Sequence, residues 1–331
     1  MKKTLLALAI AGAAVSVHAD TSVSGHVNYV IGDFEDFNAN QDLTINDATT
    51  SQSRFRITSS KKVGEQTYGL KQEFGLNNGA VAIRVNELYL KGDFGKLTLG
   101  QGSKAGDGAT ESDFSGTYLL NGANYNTWGL TNSTATTAVD TANLVTGVVT
   151  SASTSVITHR FTQIDAGREE RLRYDSPKLG GIATVSADVD TDDDINLAVS
   201  LGGSNWKAGL YNESKDANGA DSTGGSVAFN FSGITAAYQV GKRDETATGA
   251  NDDIDFSKII IGYKSGAYSV SVDVGSTETD GGLVSDTETR GLSFVYRPAK
   301  GVELYAGTRV LEDKLTQIET DGYLVGGRVR F

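Results

Sequence analysis

Apolar and polar residues take turns along most of this chain. At its end Phe331, Val329, Gly327, Val325 and Tyr323 share one parity, and Arg330, Arg328, Gly326, Leu324 and Gly322 share the other. A period of two is that of a β-strand with one face for grease and one for water. Near the start, Val23, Gly25, Val27, Tyr29 and Ile31 alternate with Ser24, His26 and Asn28. Phe55 and Ile57 alternate with Arg54 and Arg56, and Tyr68, Leu70 and Phe74 have Lys71 and Glu73 behind them. Asp33 to Thr50 reads as a polar loop. Within 81–92 the parity changes between Val81-Ile83-Val85 and Leu88-Leu90, which predicts a bulge. The rhythm resumes after Gly167 and continues to the end in segments of about ten residues.

The connections fall into two classes. Short ones include Pro177-Lys178-Leu179-Gly180, Ser232-Gly233, Ser265-Gly266 and Pro298-Ala299-Lys300-Gly301. Longer, acidic ones include Asp190–Asp194, Arg243–Asp253, Thr277–Asp286 and Glu312–Glu319. Short turns at one rim and long loops at the other describe an all-β, antiparallel transmembrane β-barrel of about sixteen strands. The second face of the strands is small or polar, as in Ser226-Ala228-Asn230, Ser269-Ser271-Asp273 and Glu303-Tyr305-Arg309. Such side chains cannot fill a dry core without unmet hydrogen bonds, so they face water inside the barrel. Tyr263, Tyr296, Tyr323 and Phe331 suit aromatic girdles at the membrane interfaces. The competing reading of the last stretch is an edge strand of a soluble β-protein.

Composition fits a wet interior. Only 38% of the 331 residues are hydrophobic, below the usual ~45–50% of globular chains. A wide barrel needs grease on one face alone. The absence of cysteine excludes disulfides and thiolate metal sites. The net charge of −12 argues against nucleic acid as a partner. Residues 1–19 read as a signal peptide, with Lys2-Lys3, an apolar run from Leu5 to Val17, and a Val17-His18-Ala19 cleavage site. A membrane-anchor helix is the other reading, but the run is short for ~30 Å of hydrocarbon. Loss of Lys2 and Lys3 would leave 27 basic against 41 acidic residues, a charge of −14. The rest, 20–331, is then one barrel domain.

RVNELYLKGDFGKLTLGQGS (84–103) and LRYDSPKLGG (172–181) resemble strand–turn–strand segments of the general porins of Gram-negative outer membranes. The last strand is similar to the C-terminal strand of bacterial outer-membrane barrels, which implies an assembly signal in Tyr323, Val325, Val329 and Phe331. With the leader, the resemblance spans the chain at motif level. Gln101 departs from it where relatives often carry Arg, and the polar stretch after Gly102 is longer than expected. The family implies an exported, outer-membrane homotrimer that meets lipopolysaccharide and the barrel-assembly machinery. It also implies that the long loop, about 103–167, folds into the lumen. A disordered linker is one alternative for that stretch. A further hairpin from Leu144–Thr150 and Ser153–Phe161, giving eighteen strands, is another.

The candidate constriction sets the basic residues Arg54, Arg56, Lys71, Arg84 and Arg173 against Asp107, Glu111 and Asp113 of the loop. Opposed charges across a narrow aqueous gap orient dipolar solutes. The bland alternative makes some of these arginines structural ion pairs. Enzymatic readings find little support: the histidines are His18, His26 and His159, with no recognisable triad spacing. The Gly-rich pairs lack a nucleotide-binding context. Asp192-Asp193-Asp194 lacks EF-hand spacing and reads as a solvated loop tip. No cofactor is implied. The expected function is passive diffusion of ions and small hydrophilic solutes through a water-filled channel. A substrate-selective channel and a surface adhesin without a pore are the alternatives, and bilayer conductance separates them.

Overall fold

The computed structural model describes residues 19–35, 41–48, 51–77, 80–122, 134–138, 154–158, 166–214, 221–244, 253–280, 286–314 and 319–331. The expected signal peptide, apart from Ala19, and the strand expected at Leu144–Thr150 lie outside them.

The wall begins with β1 (Asp20–Glu35), β2 (Gln41–Asp47), β3 (Arg54–Val63), β4 (Gln66–Asn77), β5 (Ala80–Gly92) and β6 (Gly95–Ser103). It continues with β9 (Arg168–Asp175), β10 (Ala183–Asp190), β11 (Ile195–Gly202), β12 (Trp206–Ser214) and β13 (Asp221–Phe231). It is completed by β14 (Ile234–Asp244), β15 (Asp253–Ser265), β16 (Tyr268–Asp280), β17 (Thr287–Ala299), β18 (Val302–Asp313) and β19 (Glu319–Arg330). Each pairs antiparallel with its neighbour, and β19 pairs with β1, so the sheet closes. One half of β1 pairs with β3 and the other with β2, so these two share a place and the barrel has sixteen strands. At the seam Gly25 and Phe331 exchange two backbone hydrogen bonds of 3.0 Å. Closure leaves no unpaired edge in hydrocarbon.

β7 (Thr134–Ala138) and β8 (Thr154–Thr158) pair only with each other. Of the extra hairpin weighed for this stretch only Thr154–Thr158, inside its second strand, is described, and it pairs with Thr134–Ala138 in a ribbon separate from the wall. β2 corrects the expectation of a continuous loop from Asp33 to Thr50. Leu43 and Ile45 carry a short two-residue alternation that their polar neighbours mask, and both point outward.

Val23, Val27, Tyr29, Ile31, Tyr323, Val325, Val329 and Phe331 are all exposed on the outer wall. The alternate positions, such as Asn28, Ser269, Ser271, Asp273 and Arg309, are buried inside. The parity change in 81–92 is a bulge at Arg84: Glu73 pairs with Val85 and Phe74 with Ile83, leaving Arg84 as the extra residue. The bulge turns Ile83 outward while Val85 and Glu87 turn inward. Tight turns such as Gly266-Ala267 and Lys300-Gly301 occupy one rim. Gly266 (φ 54) and Gly301 (φ 80) supply the left-handed backbone there. Among the described residues no helix is long and apolar enough to span a membrane; the strands do so.

Candidate functional site

Two charged surfaces lie inside the barrel. The first lies on β3, β4 and β5, where cross-strand pairing sets Arg56 opposite Glu73. Glu73 is buried and accepts from three arginines. Arg54 donates Nη1 at 3.1 Å, Arg56 donates Nε at 3.0 Å, and Arg84 donates Nε at 3.1 Å. The bulge places Arg84 in this group, and Gly75 makes room for it: a Cβ there would lie 2.8 Å from Arg84 Cδ. One carboxylate holding three guanidinium groups leaves the patch with two positive charges in excess. Arg56 is its most accessible member, with 39% of its side chain exposed. Lys71 lies two residues along the same face of β4, within electrostatic reach of Glu87, Arg56 and Glu73.

The second surface is the first part of the long loop, residues 104–122, with a short helix α1 (Tyr118–Asn121). It runs along the inner wall from β10 to β17 and touches one strand after another. The Ala105 amide donates to Asp188. Ser226 Oγ donates to the Ala109 carbonyl at 2.6 Å and accepts from the Ser112 amide at 3.0 Å. Gln239 donates to the Ser112 carbonyl at 3.2 Å. Lys258 donates to the Asn121 carbonyl, Thr117 and Ser271 hydroxyls lie 2.6 Å apart, and Arg297 donates to the Gly116 carbonyl. The small, polar inward residues thus satisfy the loop's backbone, which would otherwise be left without partners.

The root of this loop is fixed by Lys104, whose side chain is 1% exposed. Its ammonium lies 2.7 Å from Glu213, 3.1 Å from Asp190, 3.3 Å from Glu169 and 4.0 Å from Asp194. Burial alone would lower its pKa, but the hydrogen bonds it donates to Glu213 and Asp190 and the nearby Glu169 charge outweigh that and raise it. Asp190 Oδ1 also accepts from the Asp192 and Asp194 amides at 3.0 Å. Asp194, read as part of a solvated loop tip, is therefore buried beside a lysine. Arg173 belongs to the same root: it donates to the Ser103 and Lys104 carbonyls at 3.0 and 2.7 Å and to Asp175 at 2.7 Å.

The three acidic candidates take different positions. Asp107 pairs with Arg168 at 3.3 Å, and Arg168 is close enough to Arg54 to repel it. Asp113 accepts from the Ser115 amide and hydroxyl at 2.7 and 2.6 Å, inside the loop's own turn. Glu111 accepts from Tyr118 at 3.2 Å. Burial first and the Asp107 charge second raise the Glu111 pKa above the usual carboxylate range. Lys207 and Lys258 face Glu111 and Asp113 from the wall, and Lys207 Nζ sits 5.0 Å from the centre of the Phe114 ring.

Arg54, Arg56 and Arg84 are thus brought together, Lys71 stands beside them, and Arg173 is bound at the loop root. Sequence reasoning missed Glu73, Lys104, Arg168, Lys207 and Lys258 as parts of this arrangement. Glu73 was within reach, since it shares a face with Lys71. Lys104 had no local signal, for Glu213 is 109 positions away. The inward tyrosines Tyr211 and Tyr305 are buried, 4% and 3% exposed, and form no open aromatic path.

A family model described as Gram-negative porin matches residues 4–315. No curated protein matches the chain in sequence. Among solved structures, an anion-selective porin from Comamonas acidovorans superposes with a TM-score of 0.71 at 15% identity, over 95% of this chain and 100% of that one. OmpT, an outer membrane protein of Vibrio cholerae, solved in a trimer form, gives 0.64 at 14% identity, over 95% and 100%. A mutant of the Rh. blastica porin gives 0.59 at 14% identity, over 94% and 100%.

Proposed function

The chain belongs to the Gram-negative porin family and forms an outer-membrane channel for passive diffusion, and from that premise we propose where and how this channel selects its solutes. The constriction lies between the arginine patch Arg54, Arg56 and Arg84, with Lys71, and the loop carrying Asp107, Glu111 and Asp113. The observation that carries this is the three-to-one arrangement of guanidinium groups on Glu73. It holds positive charge at the water surface without letting the arginines collapse onto the loop. A field across the gap follows, and it favours solutes with a dipole or a charge over apolar ones.

The balance at this point leans towards anions. On the wall, Arg54, Arg56 and Arg84 share the single carboxylate of Glu73, and Lys71 stands beside them between Glu73 and Glu87. On the loop, Asp107 is paired with Arg168, and half-buried Glu111 carries its negative charge less readily. The net charge of −12 is a property of the whole chain rather than of the gap. The solutes are small hydrophilic molecules, anions passing more easily than cations. The barrel acts as a homotrimer among lipid and lipopolysaccharide after insertion by the barrel-assembly machinery, and it works without catalysis.

Reversal potential in a KCl gradient across a planar bilayer tests the assignment. Arg56→Glu should move the reversal potential towards cations, and Arg54→Glu should do the same. Arg173→Ala, at the loop root, should leave it in place. An unmoved potential in Arg56→Glu would remove the patch from the constriction.

A further inference from the structure

One continuous line of polar side chains crosses four neighbouring strands of the outer wall. Cross-strand pairing aligns Gln72 on β4 with Asn86 on β5, Asn86 with Gln101 on β6, and Gln101 with Glu170 on β9. All four have outward parity, and Asn86 and Glu170 are openly exposed. Gln72 donates to Asn86 at 3.1 Å, and Gln101 donates to the Ile83 carbonyl at 3.4 Å. The row one step nearer the short turns is leucine throughout: Leu70, Leu88, Leu99 and Leu172 are likewise paired in register. On the other side stand Phe74 and Ile83. The Gln72–Asn86 half of the row therefore lies within the greasy band, and beyond Gln101 and Glu170 stand Ser103 and Arg168, where β6 ends and β9 begins.

Their depth follows from the strands. Gln72 is six residues from the start of β4, which at ~3.3 Å per residue and a tilt of ~40° puts it ~15 Å above the short-turn rim. The apolar band is ~25 Å tall, so the row sits near its middle. At about the same level β14, β15, β16 and β19 present Val240, Ile259, Val274 and Val325, whereas β12 and β18 present only the isolated Asn212 and Thr308. The wall is also low beside the row. β9, β10 and β11 have eight residues each, a height of ~20 Å that falls short of the band. Asn86, Gln101 and Glu170 line a recess in this wall together with Leu99, Leu172 and Gly100. Acyl chains offer nothing to the free donors and acceptors of that recess.

We propose that this wall, β4 to β6 with β9, is the face on which copies of the chain pack in the membrane. The inference rests on reading the channel as a homotrimer and names the surface used. Rotation about the membrane normal preserves depth, so each copy meets the next at the same level. Side-chain amides both donate and accept, which makes a row of them self-complementary. Glu170 can accept from the amides of the neighbour. A second copy also supplies the wall height that β9 to β11 lack.

The chain has no cysteine, so single replacements report cleanly. Asn86→Cys and Gln101→Cys, each carrying a nitroxide, are compared with Val272→Cys, an outward position on β16 that is 50% exposed. In outer-membrane vesicles the row labels should be at least fivefold less accessible to oxygen than the Val272 label. A short bismaleimide should link the row cysteines into a product of two chain masses. Gln72→Leu, Asn86→Leu and Gln101→Leu combined should release monomers from the detergent-extracted oligomer. Row labels as oxygen-accessible as Val272 would overturn the proposal, as would a cross-link to a different protein or an oligomer of unchanged heat resistance in the triple variant. Conductance of the same cysteine variants keeps the two readings apart. Conducting barrels with a lipid-exposed row sink this surface alone, whereas protected rows in barrels that do not conduct sink the channel reading alone.

Discussion

Lys104→Met tests whether the constriction loop is held by one buried charge. The replacement keeps the length of the side chain and removes the ammonium. Glu213, Asp190, Glu169 and Asp194 are then left facing one another, with the Asp190 and Glu213 side chains only 0% and 6% exposed. At an effective dielectric of about 20, a unit charge 3 Å away is worth roughly 5 kcal/mol per contact before desolvation is subtracted. Measured losses on removing one partner of a buried ion pair are about 3–5 kcal/mol, and that is the destabilisation expected. The acids can limit it by taking up protons. Without the ammonium the crowded carboxylates repel one another until some bind protons, so the deficit is present at neutral pH and shrinks as pH falls. The recovery should approach ~1.4 kcal/mol per pH unit for each proton bound. Wild type should show no such recovery, because the Lys104 pKa is raised and the stability it gives persists until pH climbs far into the alkaline range. Unfolding in detergent from pH 7 to pH 5 measures the energy. Single-channel recording measures the loop: Lys104→Met should conduct with a noisier open level and close at lower voltage, and Lys104→Arg should behave like wild type. Carboxylate oxygens of Glu169, Asp190 and Asp194 lie within 4.8 Å of one another, so millimolar Ca²⁺ should quieten the variant and leave wild type unchanged. A variant that is quiet at pH 7 and within about 1 kcal/mol of wild type would refute the reasoning.

Two further outcomes follow from the same geometry. Because the Glu111 pKa is raised by burial and Asp107, mild acid should neutralise this residue before ordinary carboxylates titrate. Anion preference should then increase as pH falls, and Glu111→Gln should show the acid-form preference already at pH 7, with a flatter pH profile of reversal potential. Deleting Phe331 removes both backbone hydrogen bonds to Gly25 at the seam. The fraction of chain recovered as heat-resistant barrel should drop severalfold, while Phe331→Tyr, which keeps the backbone and an aromatic ring, should restore most of it.

Much of the wall was legible because lipid on one side and water on the other impose a period of two on every strand. The alternation from Tyr323 to Phe331, or across Val23 to Ile31, needs no distant information. The bulge at Arg84 was visible as a parity change, though not which residue it expelled. β2 was hidden because Leu43 and Ile45 are only two apolar positions in a polar stretch. The proposed constriction was half legible. Arginines at strand positions of lumen parity can be recognised from spacing, as Arg54 and Arg56 were, whereas Arg84, at the parity change, was carried by the family resemblance. Their common partner Glu73 depends on strand register. Lys104 depends on barrel closure, which brings together residues from β9, β10 and β12 that share no local pattern. Arg173 has lumen parity too, yet carbonyls at the loop root claim it, and parity cannot foresee that.

The path of residues 104–122 along β10 to β17 also sets an order of events. This segment is made before every strand it leans on, and its furthest contact, Arg297 to Gly116, joins residues 181 positions apart. Contacts of such separation form late, after the cost of closing the intervening chain has been met. The nascent cylinder is therefore hollow and wide while it assembles, and it acquires its narrow waist only as a finishing step.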